Sequence, residues 1–325
     1  MERTKLFSLI FVMALLAGLL AGAASASDDL NWPTRPVEII VSMSAGGDTD
    51  FNARALARYL TEELGQPFVV TNITGGGGSI GTSELIHSPA DGYRMMVAHA
   101  PLHTAQAFGI TDYGWDDMAV ISIFGQGTGE FLAVNADFPA STLEELIAHT
   151  SQNPGRYRFG YNPGATSHYI GVKMQLLGAE MNMVVAGSAA DRVVGLLGGH
   201  LDIILAAMPN LADYVELGQF KIIANGASER HPNFPDIPTL MEQGLGGAFD
   251  PFYTLYTVKG VDPRIVARVN QAIYNIVMHN AAYQEEISVA FTQVPFFQST
   301  EQAVETLAQQ QQMYMSITDE LRAAF

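Results

Sequence analysis

Two glycine-rich stretches hold the residues with the clearest chemical potential. One is Ser44-Ala45-Gly46-Gly47-Asp48-Thr49-Asp50; the other is Asn72-Ile73-Thr74-Gly75-Gly76-Gly77-Gly78-Ser79-Ile80-Gly81. Each follows an apolar, strand-like run and opens a helix-like run. That layout directs free backbone N–H groups and the positive end of a helix at one point, where an anion can sit. Glycine removes Cβ, so a carboxylate could touch the backbone directly; a purely structural tight turn is the alternative. Ser44, Thr49 and Ser79 add hydroxyls beside those N–H groups. Asp50 falls in the first helical turn. It serves there either as a favourable charge at a helix N-terminus or to orient a water that bridges to the ligand.

The remaining chemistry-bearing residues are sparse. His99 and His103 have the i, i+4 spacing of metal ligands on a helix. Pro101 interrupts them, however, and no carboxylate completes a set, so both read as loop or pocket-lining histidines. Ser167 and His168 are adjacent, a poor arrangement for nucleophile and base. Thr166 and Ser167 instead read as a helix start that either caps the helix or hydrogen-bonds a ligand. There is no cysteine nucleophile. The glycine stretches match neither the P-loop nor the dinucleotide fingerprint with its acidic residue about twenty positions on. No metal, cofactor or catalytic residue is expected, and an enzyme built on His99, His103, Ser167 and His168 is the weakest reading.

The elements that must position these turns alternate. Val37–Val41, Phe68–Val70 and Arg94–Ala98 read as strands. Helices are expected over 51–64, with Phe51, Leu56, Leu60 and Leu64 on one face, and over 80–86. This β-α-β-α-β order implies a parallel sheet. A second unit repeats the alternation with strands at 131–134, 156–160, 181–185, 201–205 and 220–224. Its helices follow 142, 166, 189 and 211. Thr142 with Glu145 and Ser299 with Gln302 form capping boxes, and Asp262-Pro263 opens a long helix to about His279. Crossing strands near 124–130 and 247–252 would make a hinge. The expected fold is α/β: two lobes in the manner of a type II periplasmic binding protein, each a mostly parallel sheet flanked by helices, with a ligand cleft between them. Residues 27–125 and 250–325 would form the first lobe and 126–249 the second.

Bulk properties narrow the partners. Residues 1–26 read as an export signal, with Arg3 and Lys5, the apolar run Leu6 to Leu20, and a small-residue cleavage site ending near Ala26. The mature chain is expected in the periplasm, with no later run long enough to span a membrane. The 325 residues carry 16 Lys and Arg against 33 Asp and Glu, a net charge of −17. That balance argues against nucleic acid and anionic membrane surfaces, and reads as a solubilising coat.

The ordered motifs resemble one family throughout the mature chain: the Bug family, extracytoplasmic solute receptors of tripartite tricarboxylate transporters. The resemblance is carried by Trp32-Pro33-Thr34-Arg35-Pro36-Val37 with Gly46-Gly47-Asp48-Thr49-Asp50, by Leu64-Gly65-Gln66-Pro67, by Gly75 to Gly81, and by Pro89-Ala90-Asp91-Gly92-Tyr93. Leu196-Leu197-Gly198-Gly199-His200-Leu201-Asp202 and Phe234-Pro235-Asp236-Ile237-Pro238-Thr239 continue it. The resemblance implies a monomeric binding protein that captures a small organic acid and docks transiently on integral membrane transporter subunits. A subunit that presents its ligand to a membrane sensor is the second reading. It also implies that Ser44, Ala45, Gly46, Gly47 and Asp50 on one loop, and Gly78 and Ser79 on the other, hold one carboxylate, partly through waters. Pocket-lining His99 would stand beside them. The second lobe would add Thr166, Ser167 and His168, then Gly187 and Ser188, and Ala207 within Ala206-Ala207-Met208. Two departures stand out. Ser42-Met43 replaces the usual Pro and aromatic residue, and Val184-Val185-Ala186 replaces a common Pro-Tyr-Lys, which favours a less charged or more apolar far end on the ligand.

Overall fold

The computed structural model describes residues 30–319 apart from 100, 128, 248 and 292; the export-signal reading of 1–26 falls outside them. The fold that follows is that of the compact unit beginning at Pro33.

The first sheet contains β1 (Val37–Val41), β2 (Phe68–Asn72), β3 (Arg94–Ala98), β4 (Met118–Gln126) and β10 (Phe252–Val258), in the order β2-β1-β3-β10-β4. In β1, Val37, Ile39, Ile40 and Val41 are all buried, as expected of a central strand covered on both faces. Helix α1 (Asp48–Leu64) follows β1 and buries Ala53, Leu56, Ala57 and Leu60. It ends at Gly65, whose φ of +74° allows its N–H to close on Thr61 O at 3.0 Å. Helices α2 (Ser79–Ile86) and α3 (Pro101–Ala107) follow β2 and β3.

The second sheet contains β5 (Phe131–Asn135), β6 (Arg158–Tyr161), β7 (Asn182–Val185), β8 (Ile203–Ala206) and β9 (Phe220–Asn225), in the order β7-β6-β8-β5-β9. Helices α4 (Leu143–Ser151), α5 (Thr166–Leu176), α6 (Ala189–Leu197) and α7 (Met208–Glu216) connect its strands. Strands β5 and β8 are buried on both faces with a period of two. Leu132, Val134, Ile203 and Leu205 enter one core, and Phe131, Ala133, Ile204 and Ala206 the other. The chain then returns through β10 and closes with α8 (Pro263–His279), α9 (Ala281–Phe291) and α10 (Thr300–Met315). Asp262 caps α8 through Arg264 N at 2.9 Å, and Ser299 with Gln302 caps α10.

Both sheets share one strand order, and each has one reversed strand in the fourth place. Strands β1, β2 and β3 are parallel, as are β6, β7 and β8, but β10 runs antiparallel to β3 and β5 antiparallel to β8. The alternation in sequence implied parallel pairing and did not show this reversal. Its cause is topological. Each reversed strand is the one that enters its sheet straight from the other sheet, so it starts at the end where the parallel strands finish. Phe131 at the start of β5 pairs with Ala206 and Asn225 at the ends of β8 and β9, and Thr254 near the start of β10 pairs with Ala98 at the end of β3. The C-terminal ends of the parallel strands in both sheets therefore meet at one junction.

The two crossing segments pack backbone to backbone there. Gly127 N donates to Pro251 O at 2.8 Å and Gly226 N to Glu130 O at 2.9 Å. Gly129 has φ +83°, and a Cβ on it would lie 2.6 Å from Asn225 Oδ1 and 2.9 Å from Ala227 N, so this crossing accepts only glycine. The first crossing is shorter than expected, because β4 runs on to Gln126. Two glutamines tie α10 to its surroundings: Gln310 Nε2 donates to Asp250 O at 2.8 Å, and Gln311 bonds both His103 and Gln106.

Candidate functional site

The first candidate turn joins β1 to α1. Gly47 is the N-cap of α1, extended and without a side-chain cap, so the first N–H groups of the helix open outward. Ser44, Ala45, Gly46 and Gly47 are exposed. Asp50 is buried and fully engaged. Its Oδ2 accepts from Gly46 N and Arg54 Nε, each at 2.9 Å, and its Oδ1 accepts from Asn72 Nδ2 at 2.9 Å. Asn72 Nδ2 also donates to Met43 O at 3.0 Å, and its Oδ1 accepts from Arg54 at 2.9 Å. Burial works against the charge of Asp50, but the donors Arg54, Gly46 and Asn72 outweigh it and hold the carboxyl below its usual range. Asp50 is thus the latch that shapes the turn, not a free carboxylate orienting a water. The N–H of Gly46 belongs to that latch.

The second turn joins β2 to α2. Gly75, Gly76 and Gly78 have φ of +121°, +55° and +98°, and Gly78 is the uncapped N-cap of α2. A Cβ on Gly78 would stand 3.1 Å from Ser42 Oγ and 3.2 Å from Met43 Cε, so the two turns lie against each other. Thr82 Oγ1 donates to Gly78 O at 3.0 Å and Tyr113 OH to Ser79 O at 2.6 Å; these bonds fix the turn from behind. Ser42, Met43, Gly78, Ser79, Thr82, His99 and Tyr113 line one small cavity of about 10 Å³, measured by the centre of a water-sized sphere. That is room for about one water. His99 Nδ1 is buried without a protein partner.

The Tyr253 hydroxyl donates to Asp48 Oδ2 at 2.8 Å, tying the start of β10 to the first turn of α1. Burial and the Asp48 charge push its pKa well up, so the phenol stays protonated as a donor. The partners lie 205 residues apart, and no local signal in the chain points from one to the other.

At the junction end of the second sheet, Thr166 and Ser167 open α5. Ser167 Oγ accepts from Asn162 N at 3.1 Å and so shapes the turn before the helix. His168 is buried. Its ring stacks on Phe108 with centroids 4.2 Å apart and lies 4.4 Å from Tyr161, and its Nδ1 accepts from Gly164 N at 3.4 Å. Burial lowers its pKa to about 4, so it is a neutral packing residue and not part of an open wall. Thr104 Oγ1 donates to Gly164 O, which holds α3 against this turn. Gly187 and Ser188 precede α6, where Ser188 and Asp191 form a closed capping box. Ala207 is the half-buried N-cap of α7, without a side-chain cap. Among the described residues no three His, Cys, Asp or Glu side chains cluster as a metal site.

Two sheets of one topology, joined by two crossings, with helix starts gathered at their common junction, define a two-lobed solute-binding protein. The comparisons agree. The chain belongs to the tripartite tricarboxylate transporter receptor family, TctC, whose model matches residues 52–321. It is 33% identical to Protein BugT of Bordetella pertussis over 291 residues, covering 87% of this chain and 88% of that one. Among solved structures, a TctC solute-binding protein from Polaromonas superposes with a TM-score of 0.71 at 26% identity, covering 89% of this chain and 99% of that one. The fold also matches R. palustris Rpa4515 with adipate at a TM-score of 0.78 and 22% identity, covering 90% and 98%. Family and fold are those of substrate-binding receptors, not enzymes.

Proposed function

We propose that this chain is an exported, periplasmic receptor that captures a small carboxylated organic acid and hands it to the membrane subunits of a tripartite tricarboxylate-type transporter. The observation that carries the reading is the pair of helix starts capped by glycine, α1 at Gly47 and α2 at Gly78, packed against each other at the junction end of the first sheet. A carboxylate placed there meets backbone N–H groups and two helix dipoles. Ser44, Ala45, Gly47, Gly78 and Ser79 form the wall nearest to it, with Asp50 holding the loop. His99 and the neighbouring cavity suit a water that bridges to the ligand. Thr166, Ser167, Gly187, Ser188 and Ala207 face the ligand from the second lobe once the cleft closes. The lobes divide near 125/126 and 249/250, with α3 and the end of α10 lending Ala107, Phe108 and Tyr314 to the second core.

The reading is compatible with a net charge of −17. Salt screens the remote surface over about 8–10 Å, whereas the N–H groups act at contact. The chain works as a monomer and needs no cofactor. The test is calorimetry against mono-, di- and tricarboxylates, aromatic acids included. Binding of at least one acid at micromolar affinity is expected; folded protein that binds none of them refutes the carboxylate clamp.

A further inference from the structure

Building on that proposed function, we infer that the second lobe rejects a second carboxylate, so that the ligand is a monocarboxylate whose far end is neutral or positively charged. The start of α6 is the second lobe's counterpart of the α2 turn, and two of its donors, Ser188 N and Asp191 N, are already taken. Asp191 Oδ2 accepts from Ser188 N at 2.9 Å and from Ser188 Oγ at 2.7 Å, while Ser188 Oγ accepts from Asp191 N at 3.2 Å. Asp191 is exposed at this turn. The bonds from Ser188 hold its carboxyl below the usual range, so it is an anion at neutral pH.

The cation next to it is turned inward. Arg192 is 4% exposed. Its Nε donates to Leu205 O at 2.8 Å, one terminal nitrogen to Gly187 O at 3.1 Å, and the other to Glu130 Oε1 at 3.0 Å. Every guanidinium nitrogen has an acceptor. Swinging the side chain out to meet a ligand would strand two carbonyls and the Glu130 carboxylate. Glu130, Asp191 and Arg192 together carry one net negative charge, close to where the crossing segment meets the turn at Gly187. The first lobe does not offset it, because Arg54 is committed to Asp50 and Asn72. A second carboxylate arriving here meets a like charge, with Arg192 and Arg54 both committed elsewhere, whereas an ammonium or an apolar end meets no such repulsion.

The experiment is calorimetry of the purified protein with acids matched in carbon skeleton. One set is hexanoate, 6-aminohexanoate and adipate; a second is butanoate, 4-aminobutanoate and succinate; a third is benzoate, 4-aminobenzoate and terephthalate. In whichever set binds, the dicarboxylate is expected to be weakest, by about tenfold. A dicarboxylate that is the tightest binder of its set overturns the inference and leaves the carboxylate clamp standing. Absence of binding in all three sets removes the clamp, and the inference with it. Asp191→Asn keeps an acceptor for Ser188 while removing the charge. It is expected to narrow the gap between dicarboxylate and monocarboxylate about fivefold; an unchanged gap shows that Asp191 does not set the selectivity.

Discussion

The starts of α1 and α6 each follow a strand at the junction end of their sheet, α1 after the second strand in the order and α6 after the first, and each carries an aspartate at its third helical position. Their chemistry is opposite. At α6 the N-cap is Ser188, and Asp191 folds back onto it, closing the helix end within the chain. At α1 the N-cap is Gly47, which has no hydroxyl, and Asp50 turns sideways to Gly46, Arg54 and Asn72. Helix starts at the same junction therefore include one that is spent on stability and one that stays open for a ligand, and the N-cap residue decides which. The glycine caps lose a stabilising bond. The first lobe replaces it by locking its turns with Asp50, Thr82 and Tyr113 from outside.

The comparison breaks most visibly at Gly78. Gly78→Asp places a side chain at φ +98° and a carboxylate where the ligand's would sit. Affinity for the best carboxylate is expected to fall more than about 100-fold, with the melting temperature lowered by a few degrees from backbone strain. Retained affinity in a folded variant would remove this turn from the site. The next effect is at Asp50. Asp50→Ala frees Gly46 N and unhooks Arg54 and Asn72, so the turn loses its shape. Stability is expected to drop by about 2 kcal/mol and affinity by about tenfold. The pH dependence has a fixed sign. Because the folded carboxyl sits below its ordinary range, its contribution is complete above that range and is lost as the pH falls through it toward the folded value. Thermal melts from neutral pH down to about pH 3 should show wild type losing this increment. A variant that loses the same increment in that window would assign it to another carboxylate.

The glycine half of this contrast is legible in the chain, because glycine turns are local; the box at Ser188 with Asp191 is not among the caps read from the sequence. Val37–Val41 and Arg94–Ala98 read as strands with the bounds the structure has, and the box at Ser299 with Gln302 starts a helix as its spacing implied. The missing parts depend on contacts between distant residues. Strand β4 lies between β10 and the C-terminal helices, and its apolar residues Ile121, Ile123 and Phe124 are buried by that tertiary packing. Helix α3 begins at Pro101, so His99 lies outside it and the two histidines do not share a helical face, as the intervening proline implied. Those two residues separate in the structure: His99 lines the cavity, and His103 is buried against Gln311, with its pKa lowered to about 4 by burial. The Arg192–Glu130 and Tyr253–Asp48 pairs join residues 62 and 205 positions apart. Pattern within one segment cannot reveal such pairs; they follow from the crossings that bring both sheets to one junction.

The smallest effect is the most diagnostic of the contrast. Ser188→Ala removes the hydroxyl that accepts Asp191 N and donates to its carboxylate, and it leaves the Ser188 N–H bond to Asp191 in place. If the start of α6 serves only stability, the variant should lose about 1 kcal/mol, seen as a fall of about 2–4 °C in melting temperature. Its affinity for the best carboxylate should stay within about twofold, since the ligand's acid group is held by the glycine-capped turns of the first lobe. A loss of affinity comparable to that of Asp50→Ala, with little change in melting temperature, would mean that the Ser188 hydroxyl turns to the ligand on closure and that both helix starts serve binding. Calorimetry and melting on the same preparations separate these outcomes, because the glycine-capped turn predicts a binding defect and the serine-capped turn a stability defect.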